Sequence, residues 1–160
     1  MSRKATVLFA VRTVMAALLL VFIVFLQMGE KDSKTSIEEA ARAVTGAINM
    51  ESMEEGGNRI LKKFYGLNAG DYEGVCFYAP TSNMDAQELL IVKLKDDSQS
   101  ETVAAAVQSR LESQKASFEG YGVEQFALLE KHVLDIRGNY ILYIVHPDAQ
   151  AADRAFADCL

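Results

Sequence analysis

The feature that most constrains this chain is a long apolar stretch near its N-terminus. Residues 5–28 are almost wholly apolar, with Arg12 as their only charge, and residues 14–26 contain no charge, glycine or proline. As a helix, these residues reach about 36 Å, which exceeds the roughly 30 Å thickness of a hydrocarbon core. Arg12 lies near the start, where its long side chain can extend to the lipid headgroups. We therefore expect a transmembrane helix.

A secretory signal peptide is the alternative, because basic residues before a short apolar core are also typical of that class. Residues 27–31 contain no A-x-A-like pair of small residues, and no Cys follows the apolar run to carry a lipoprotein anchor. We therefore expect an uncleaved anchor. Arg3, Lys4 and Arg12 precede most of the apolar run. The positive-inside tendency then predicts a single-pass protein of the cell membrane, with a cytoplasmic N-terminus and an extracytoplasmic C-terminal domain.

The chain beyond residue 29 is acidic. It carries 13 Lys and Arg residues against all 22 Asp and Glu residues, a net charge of −9. Nucleic-acid binding normally requires a basic surface, so we expect no nucleic-acid partner. The charge also opposes contact with anionic lipid headgroups and is typical of a soluble outer domain. The expected lipid contact is therefore the bilayer around the N-terminal helix.

Helical spacing of apolar residues predicts five further helices after a short polar tether at residues 30–35. Two begin at capping boxes, in which a Ser side chain and a Glu three residues later bind backbone N–H groups. These are Ser36 with Glu39, and Ser98 with Glu101. Gly66 ends the second helix in a left-handed conformation, and Asp148 is the predicted N-cap of the last. The first predicted helix begins at residue 36 and ends between residues 49 and 56. The others cover residues 59–65, residues 98–119, residues 124–131 and residue 148 onward.

Strand patterns occupy residues 72–79, 89–95, 132–137 and 140–146. The last two flank Gly138 and Asn139, a two-residue loop typical of a β-hairpin. Helices interspersed with hairpin-linked strands predict an α+β fold. We expect an N-terminal transmembrane helix followed by a two-layer sandwich of helices and an antiparallel sheet of about four strands. The predicted divisions are residues 1–29, the anchor; residues 30–57, the tether and first helix; and residues 58–160, the extracytoplasmic domain.

No pattern of residues predicts a catalytic, cofactor or metal site. In the hairpin register that pairs Arg137 with Tyr140, His132 and His146 point to opposite faces and cannot share a metal ion. The chain has no G-x-S-x-G, S-x-x-K or Walker sequence, so we expect neither a serine nucleophile nor a cofactor. A disulfide between Cys76 and Cys159 is permitted outside the cytoplasm, and nothing in the sequence requires it.

A groove is the remaining candidate for function. Tyr65, Tyr121 and Tyr140 lie near the ends of predicted elements, and each offers a flat ring with a polar tip. Arg110 and Gln114 stand one turn apart on the long helix, close enough for a side-chain hydrogen bond. These five residues are the candidate groove lining. Packing in the core or on a sheet face is the favoured interpretation of the three tyrosines, and Arg110 and Gln114 are interpreted as structural unless a pocket is shown.

Residues 62–75, residues 89–96 and residues 110–145 together resemble the bacterial family of domains of unknown function DUF4358. The markers are Tyr65-Gly66, Arg110 with Gln114, Phe118 with Tyr121, and Gly138 before Tyr140. The resemblance covers roughly residues 58–160 and implies an envelope location behind a lipoprotein signal or a membrane span. It implies no reaction. This chain departs from the lipoprotein members because it lacks their lipid-bearing Cys.

These observations predict a binding or accessory domain at the bacterial cell envelope that is not an enzyme, with an unidentified envelope protein as a possible partner. Two alternatives stay open. One is an envelope hydrolase whose site combines Tyr121, Arg110 and an acid. The other is a structural protein that associates with itself through the membrane helix or a sheet edge.

Overall fold

The structure is a computed structural model that describes residues 12, 14–15, 17–19 and 32–160. The chain divides into two units, Met1–Lys31 and Asp32–Leu160. The described residues of the first unit are helical. Most of the predicted transmembrane helix lies outside the described residues. Within the described residues, no helix combines the length and the apolar character that crossing a membrane requires.

The second unit is built on one antiparallel sheet. Residues 32–160 form five strands in the order β1-β2-β3-β5-β4, where about four were predicted. The additional strand, β1, has only three residues and one buried side chain, which is too short to produce a recognisable alternation. The strands are β1 (Met53–Glu55), β2 (Gly74–Pro80), β3 (Glu88–Lys93), β4 (Val133–Arg137) and β5 (Tyr140–Val145).

Five helices of this unit cover the sheet: α1 (Ile37–Thr45), α2 (Asn58–Tyr65), α3 (Ser100–Phe118), α4 (Val123–Glu130) and α5 (Ala149–Cys159). The capping box of Ser36 and Glu39 is confirmed, and so is the left-handed Gly66 that ends α2. The second predicted capping box is wrong. The Asp96 side chain instead accepts a hydrogen bond from the Ser98 backbone N–H, which opens a 3₁₀ turn before α3.

Two further helix boundaries differ from the prediction. Helix α1 ends at Thr45, several residues before the predicted range, because Gly46 closes its last turn with a backbone bond to the Arg42 carbonyl. Asp148 precedes α5, but its side chain makes no capping bond. Its backbone N–H donates to Nδ1 of His146 instead, so His146 orders the start of this helix.

The predicted two-layer arrangement is wrong, because helices cover both faces of the sheet. Helices α2, α3 and α4 pack on one face, here called the three-helix face, around Leu90, Val92 and Tyr143. Helices α1 and α5 pack on the other, the two-helix face, around Leu89, Ile91 and Leu142. Every residue of β3 and β5 is buried, as expected for central strands between two helical layers.

The residues predicted to form a tether are bound to the domain where they are described. The backbone N–H of Ser33 donates to the Asn139 side chain, and the Thr35 hydroxyl donates to the Cys159 carbonyl. The hydroxyl of Tyr140 donates to the Thr35 carbonyl. Tyr140 pairs with Lys93 at one end of β3, so the chain enters the domain at this end of the sheet, here called the entry end.

The β4–β5 hairpin has the predicted register, with Arg137 opposite Tyr140. The two histidines bind separate backbone carbonyls: Nδ1 of His132 donates to Leu129, and Nε2 of His146 donates to Asn49. Cys76 and Cys159 are both free thiols. Burial raises the pKa of the Cys76 thiol to about 11, which makes this Cys a poor nucleophile.

Candidate functional site

The candidate site is centred on Glu88, a fully buried carboxylate at the first position of β3. Nε of Arg110 donates to its Oε1 at 3.2 Å, and Nη2 donates to its Oε2 at 2.9 Å. The hydroxyl of Tyr65 also donates to Oε1, at 2.9 Å. Because the two-pronged guanidinium contact and the tyrosine satisfy both oxygens, the carboxylate is held in one position.

Helices α2 and α3 bring these groups to the sheet. Tyr65 is the last residue of α2, where the left-handed Gly66 turns the chain away. Phe64 lies beside it, and its ring centre is 4.0 Å from Cζ of Arg110, so the guanidinium stacks on an aromatic face. Gln114, one turn along α3, can bridge the pair. In the amide orientation that suits both groups, it donates to Glu88 and accepts from Arg110.

Burial sets the electrostatics of this cluster. It raises the pKa of Glu88, although the hydrogen bonds and charge of Arg110 oppose the shift. Burial acts to lower the pKa of Arg110, but the hydrogen bonds and charge of Glu88 outweigh it and raise that pKa. The pKa of Tyr65 is raised well above its ordinary value by burial and then by the Glu88 charge. Tyr65 therefore acts as a neutral donor.

Tyr143 of β5 adds an unsatisfied group to the same region. Its ring lies 6.3 Å from that of Tyr65, and its residue is fully buried. Its hydroxyl oxygen has no hydrogen-bond partner among the described residues. Burial and the Glu88 charge raise the pKa of this hydroxyl, so it also stays neutral.

A cavity of about 460 Å³ opens beside Arg110. It lies at the end of β3 that begins with Glu88, opposite the entry end. Arg110 uses Nε and Nη2 on Glu88, and its Nη1 donates to no residue in the described part of the chain. The lining comes from β1, α2, the end of β2, the β2–β3 loop and α3: Glu54, Lys63, Phe64, Pro80, Thr81, Ser82, Asn83, Asp85, Arg110, Gln114, Ser117 and Phe118.

The β2–β3 loop that forms one wall is held by hydrogen bonds. The N–H of Thr81 donates to the Ser52 carbonyl at 3.0 Å. The N–H of Ala86 donates to the side chain of Gln125 in α4 at 2.9 Å. Within the loop, the N–H of Met84 donates to the Ser82 hydroxyl. The wall is therefore formed before any ligand binds.

The structure brings together three of the five candidate residues. Tyr65, Arg110 and Gln114 surround Glu88, and Arg110 and Gln114 line the cavity. Tyr121 is 62% exposed beyond the end of α3, with its ring 6.1 Å from that of the cavity residue Phe118.

The proposed placement of Tyr140 in the same groove is wrong. Tyr140 is fully buried on the two-helix face, where its ring meets that of Phe156 at 6.1 Å. Its position in β5 alternates away from Tyr143, so the two tyrosines contribute to different cores.

Glu88 is the residue that sequence reasoning missed. It precedes the apolar run of β3, where an acidic residue is most simply explained as part of a solvated turn. The available signal was Arg110 on the long helix, a cation next to the buried stripe that needs a partner of opposite charge. Within the described part of the chain, no group of three or more His, Cys, Asp and Glu side chains is placed to hold a metal ion.

Comparison with known proteins gives a match to a protein family. The family model for the domain of unknown function DUF4358 matches residues 46–146. No curated protein and no solved structure matches the chain. The matched segment contains all five strands, the three-helix face and every residue of the cavity, and it leaves out α1 and α5.

Proposed function

The chain belongs to the DUF4358 family, and on that premise we propose that it is a membrane-anchored domain of the bacterial cell envelope that binds a partner in the Arg110 cavity. No reaction is assigned to the family. The proposed role is recognition rather than catalysis.

The observation that carries this proposal is the bracing of Arg110 at the cavity wall. Its guanidinium is fixed by Glu88 on one edge and by the ring of Phe64 beneath it, and Nη1 remains as a donor. A fixed donor in a concave site binds without losing side-chain freedom, which is the physical basis of preorganised recognition.

The same geometry argues against Glu88 as a general base or acid. Its carboxylate is fully buried, and both oxygens already accept hydrogen bonds from Arg110 and Tyr65. A catalytic carboxylate must come within hydrogen-bond distance of a reacting atom, directly or through one water. Glu88 therefore acts as a positioning group for Arg110.

The anchoring part of the proposal is supported by the sequence. Residues 5–28 have the length and composition of a membrane span, with basic residues on the N-terminal side. The cavity lies at the end of the sheet opposite the entry end, and residues 33–35 are not part of its lining.

Protease treatment of intact cells tests the location. With epitope tags at both termini, we expect the full-length chain in the membrane fraction. Added protease should remove the C-terminal tag and leave a short N-terminal fragment protected. A chain that resists protease until the cells are opened, or that is recovered without its N-terminal tag, would contradict the proposal.

Site-specific photocrosslinking in those cells tests the binding site. A photoreactive residue replaces Asn83 at the cavity rim, and the matched control replaces Glu101, an exposed residue at the far end of α3. We expect a defined crosslinked partner from position 83 and none from position 101. Equal products from both positions would argue against the cavity, and a product containing two copies of this chain would favour self-association instead.

A further inference from the structure

The charges and the apolar rim of the cavity point to the chemistry of its occupant. Resting on the proposed function, we propose that the cavity binds an extended segment of a partner polypeptide that carries a Lys or Arg next to apolar residues. The basic side chain lies near the carboxylates of Glu54 and Asp85 in the lining, a backbone carbonyl accepts from Arg110, and the apolar residues contact the rim.

The balance of charge favours a cationic group. Arg110 is neutralised by Glu88, so its guanidinium contributes a hydrogen-bond donor rather than a net positive charge. The other charged residues of the lining are Glu54 and Asp85, which are negative, and Lys63, which is positive. The lining is therefore acidic by one charge, and an anionic ligand would also approach a domain of net negative charge.

The polar atoms of the cavity suit a peptide backbone. Nη1 of Arg110 has no partner in the described chain and matches a neutral acceptor such as a carbonyl oxygen. Ser82 and Asn83 add hydroxyl and amide groups that both donate and accept, and the Ser117 hydroxyl, which donates to the Ser113 carbonyl, adds an acceptor. A cavity of about 460 Å³ holds one or two side chains with their backbone, and not a folded domain.

The rim beside the cavity is apolar and exposed. Met84, Tyr121 and Val123 are 66%, 62% and 77% exposed, although most large apolar side chains of the domain are buried. Two contacts connect their segments to the cavity. The ring of Tyr121 lies 6.1 Å from that of Phe118 in the lining, and the side chain of Gln125, in the helix that begins with Val123, accepts a hydrogen bond from Ala86 of the loop that carries Met84. Exposed apolar side chains on segments that border a polar cavity are typical of a binding surface.

A random octapeptide library tests the inference. The full-length chain in lipid nanodiscs is used to select binders, and the recovered peptides are synthesised and measured by fluorescence anisotropy. We expect peptides with Lys or Arg beside apolar residues. Exchanging the basic residue for Glu, or the apolar residues for Ser, should weaken binding about tenfold or more.

Variants of the protein assign the contacts. Glu54→Gln with Asp85→Asn removes the two carboxylates of the lining, and Tyr121→Ser with Val123→Ser removes two of the three exposed apolar side chains. Each pair of substitutions should weaken binding of the selected peptide about tenfold. The control pair, Glu101→Gln with Asp158→Asn, removes the same charge from exposed positions outside the cavity and should leave binding unchanged.

Blocking the cavity separates failure of this inference from failure of the proposed function. Ser117→Trp fills the mouth from the exposed side of α3 without replacing any residue of the Glu88 ion pair. Suppose that Ser117→Trp abolishes peptide binding, but the selected peptides are rich in acidic residues or bind the charge and rim variants as tightly as the natural protein. That result would overturn the inference and leave the cavity as a binding site. Peptides that bind Ser117→Trp as tightly as the natural protein would contradict the proposed function. Recovery of no binding peptide would overturn the peptide class of ligand.

Discussion

The two faces of the sheet bury polar groups in different ways. On the two-helix face, the buried side chains of Asn139, Tyr140 and His146 bind backbone groups, which ties the chain ends and loops to the sheet. The ion pairs there keep contact with water: the Glu73 side chain, paired with Lys93, is 51% exposed, and Asp135 and Arg137 are 22% and 33% exposed. On the three-helix face, the Glu88 carboxylate is completely buried and balanced by another side chain.

The hydrogen bonds to backbone on the two-helix face are explained by stability. The buried ion pair of Glu88 and Arg110 is not. A neutral side chain bonded to backbone contributes about 1 kcal/mol and costs little to bury. A buried ion pair loses most of its attraction to desolvation, and apolar residues of the same size are often as stable or more so. The ion pair of Arg110 also lies beside a cavity, and recognition is the role proposed for its fixed guanidinium. The family match follows the same division, since it includes the three-helix face and leaves out α1 and α5.

The largest expected effect comes from removing one member of that pair. Arg110→Met leaves the Glu88 charge buried without a partner and should lower the free energy of unfolding by about 3–5 kcal/mol at neutral pH. Chemical denaturation of the full chain measures it. Because burial already raises the pKa of Glu88, the loss should shrink as the pH falls and this carboxylate takes up a proton in the folded state.

Two further variants make that test specific. Arg59→Met removes an exposed Arg of α2 and should change the unfolding free energy by less than about 0.5 kcal/mol. Combining Arg110→Met with Glu88→Met removes both charges and should restore most of the lost stability. If the double variant is as unstable as Arg110→Met alone, the loss comes from packing and not from the unpaired carboxylate.

The sequence predicted the location of the helices better than the layering. The stripe of Val103, Val107 and Leu111, with Gln114 and Phe118, is buried as its spacing indicated. Two layers were predicted from the order of elements, although residues 89–92 and 140–145 are apolar at consecutive positions. Such runs are typical of strands covered on both faces, and this periodicity was the better guide.

The candidate site was predictable only in part. Arg110 and Gln114 were identified because helical spacing places them on one side of α3, a local property. Glu88 was missed because its burial depends on α2 and α3 closing over a strand end, and their residues are 22 or more positions away in sequence. Tyr140 was misplaced because element ends indicate exposure, whereas the bound residues 33–35 cover this end of the sheet.

Removing a single tyrosine hydroxyl from each face compares the two faces with a smaller expected effect on stability. Tyr65→Phe removes a hydrogen bond to a buried carboxylate and should cost about 2 kcal/mol of unfolding free energy. Tyr140→Phe removes a bond to the Thr35 carbonyl on the two-helix face and should cost about 1 kcal/mol. Thermal unfolding measures both. Equal losses would mean that the charge of Glu88 adds nothing to the Tyr65 bond.

Tyr143→Phe provides the matched control, because it removes a buried hydroxyl that has no partner in the described chain. The protein should gain about 1 kcal/mol, since an unsatisfied buried hydroxyl costs free energy and its removal leaves the ring in place. A loss comparable to that of Tyr65→Phe would show that Tyr143 belongs to the hydrogen-bonded cluster around Glu88.

The smallest effect is expected on the two-helix face, at Asp153 of α5. Burial, and then a hydrogen bond with Asp135 and its charge, raise the pKa of Asp153, and its Oδ1 has no partner among the described residues. A carboxyl whose pKa is raised by folding stabilises the protein less as the pH increases through the interval between its unfolded and folded pKa values.

Asp153→Asn should therefore raise the free energy of unfolding at pH 7, by about 0.5 kcal/mol because the side chain is partly exposed and screened. The gain should vanish below the unfolded pKa, near pH 3. Thermal unfolding between pH 3 and 8 tests this, with Asp158→Asn on the same helix as an exposed control. A gain that persists at pH 3 would assign the effect to the amide hydrogen bond, and the charge contrast between the two faces would then rest on Glu88 alone.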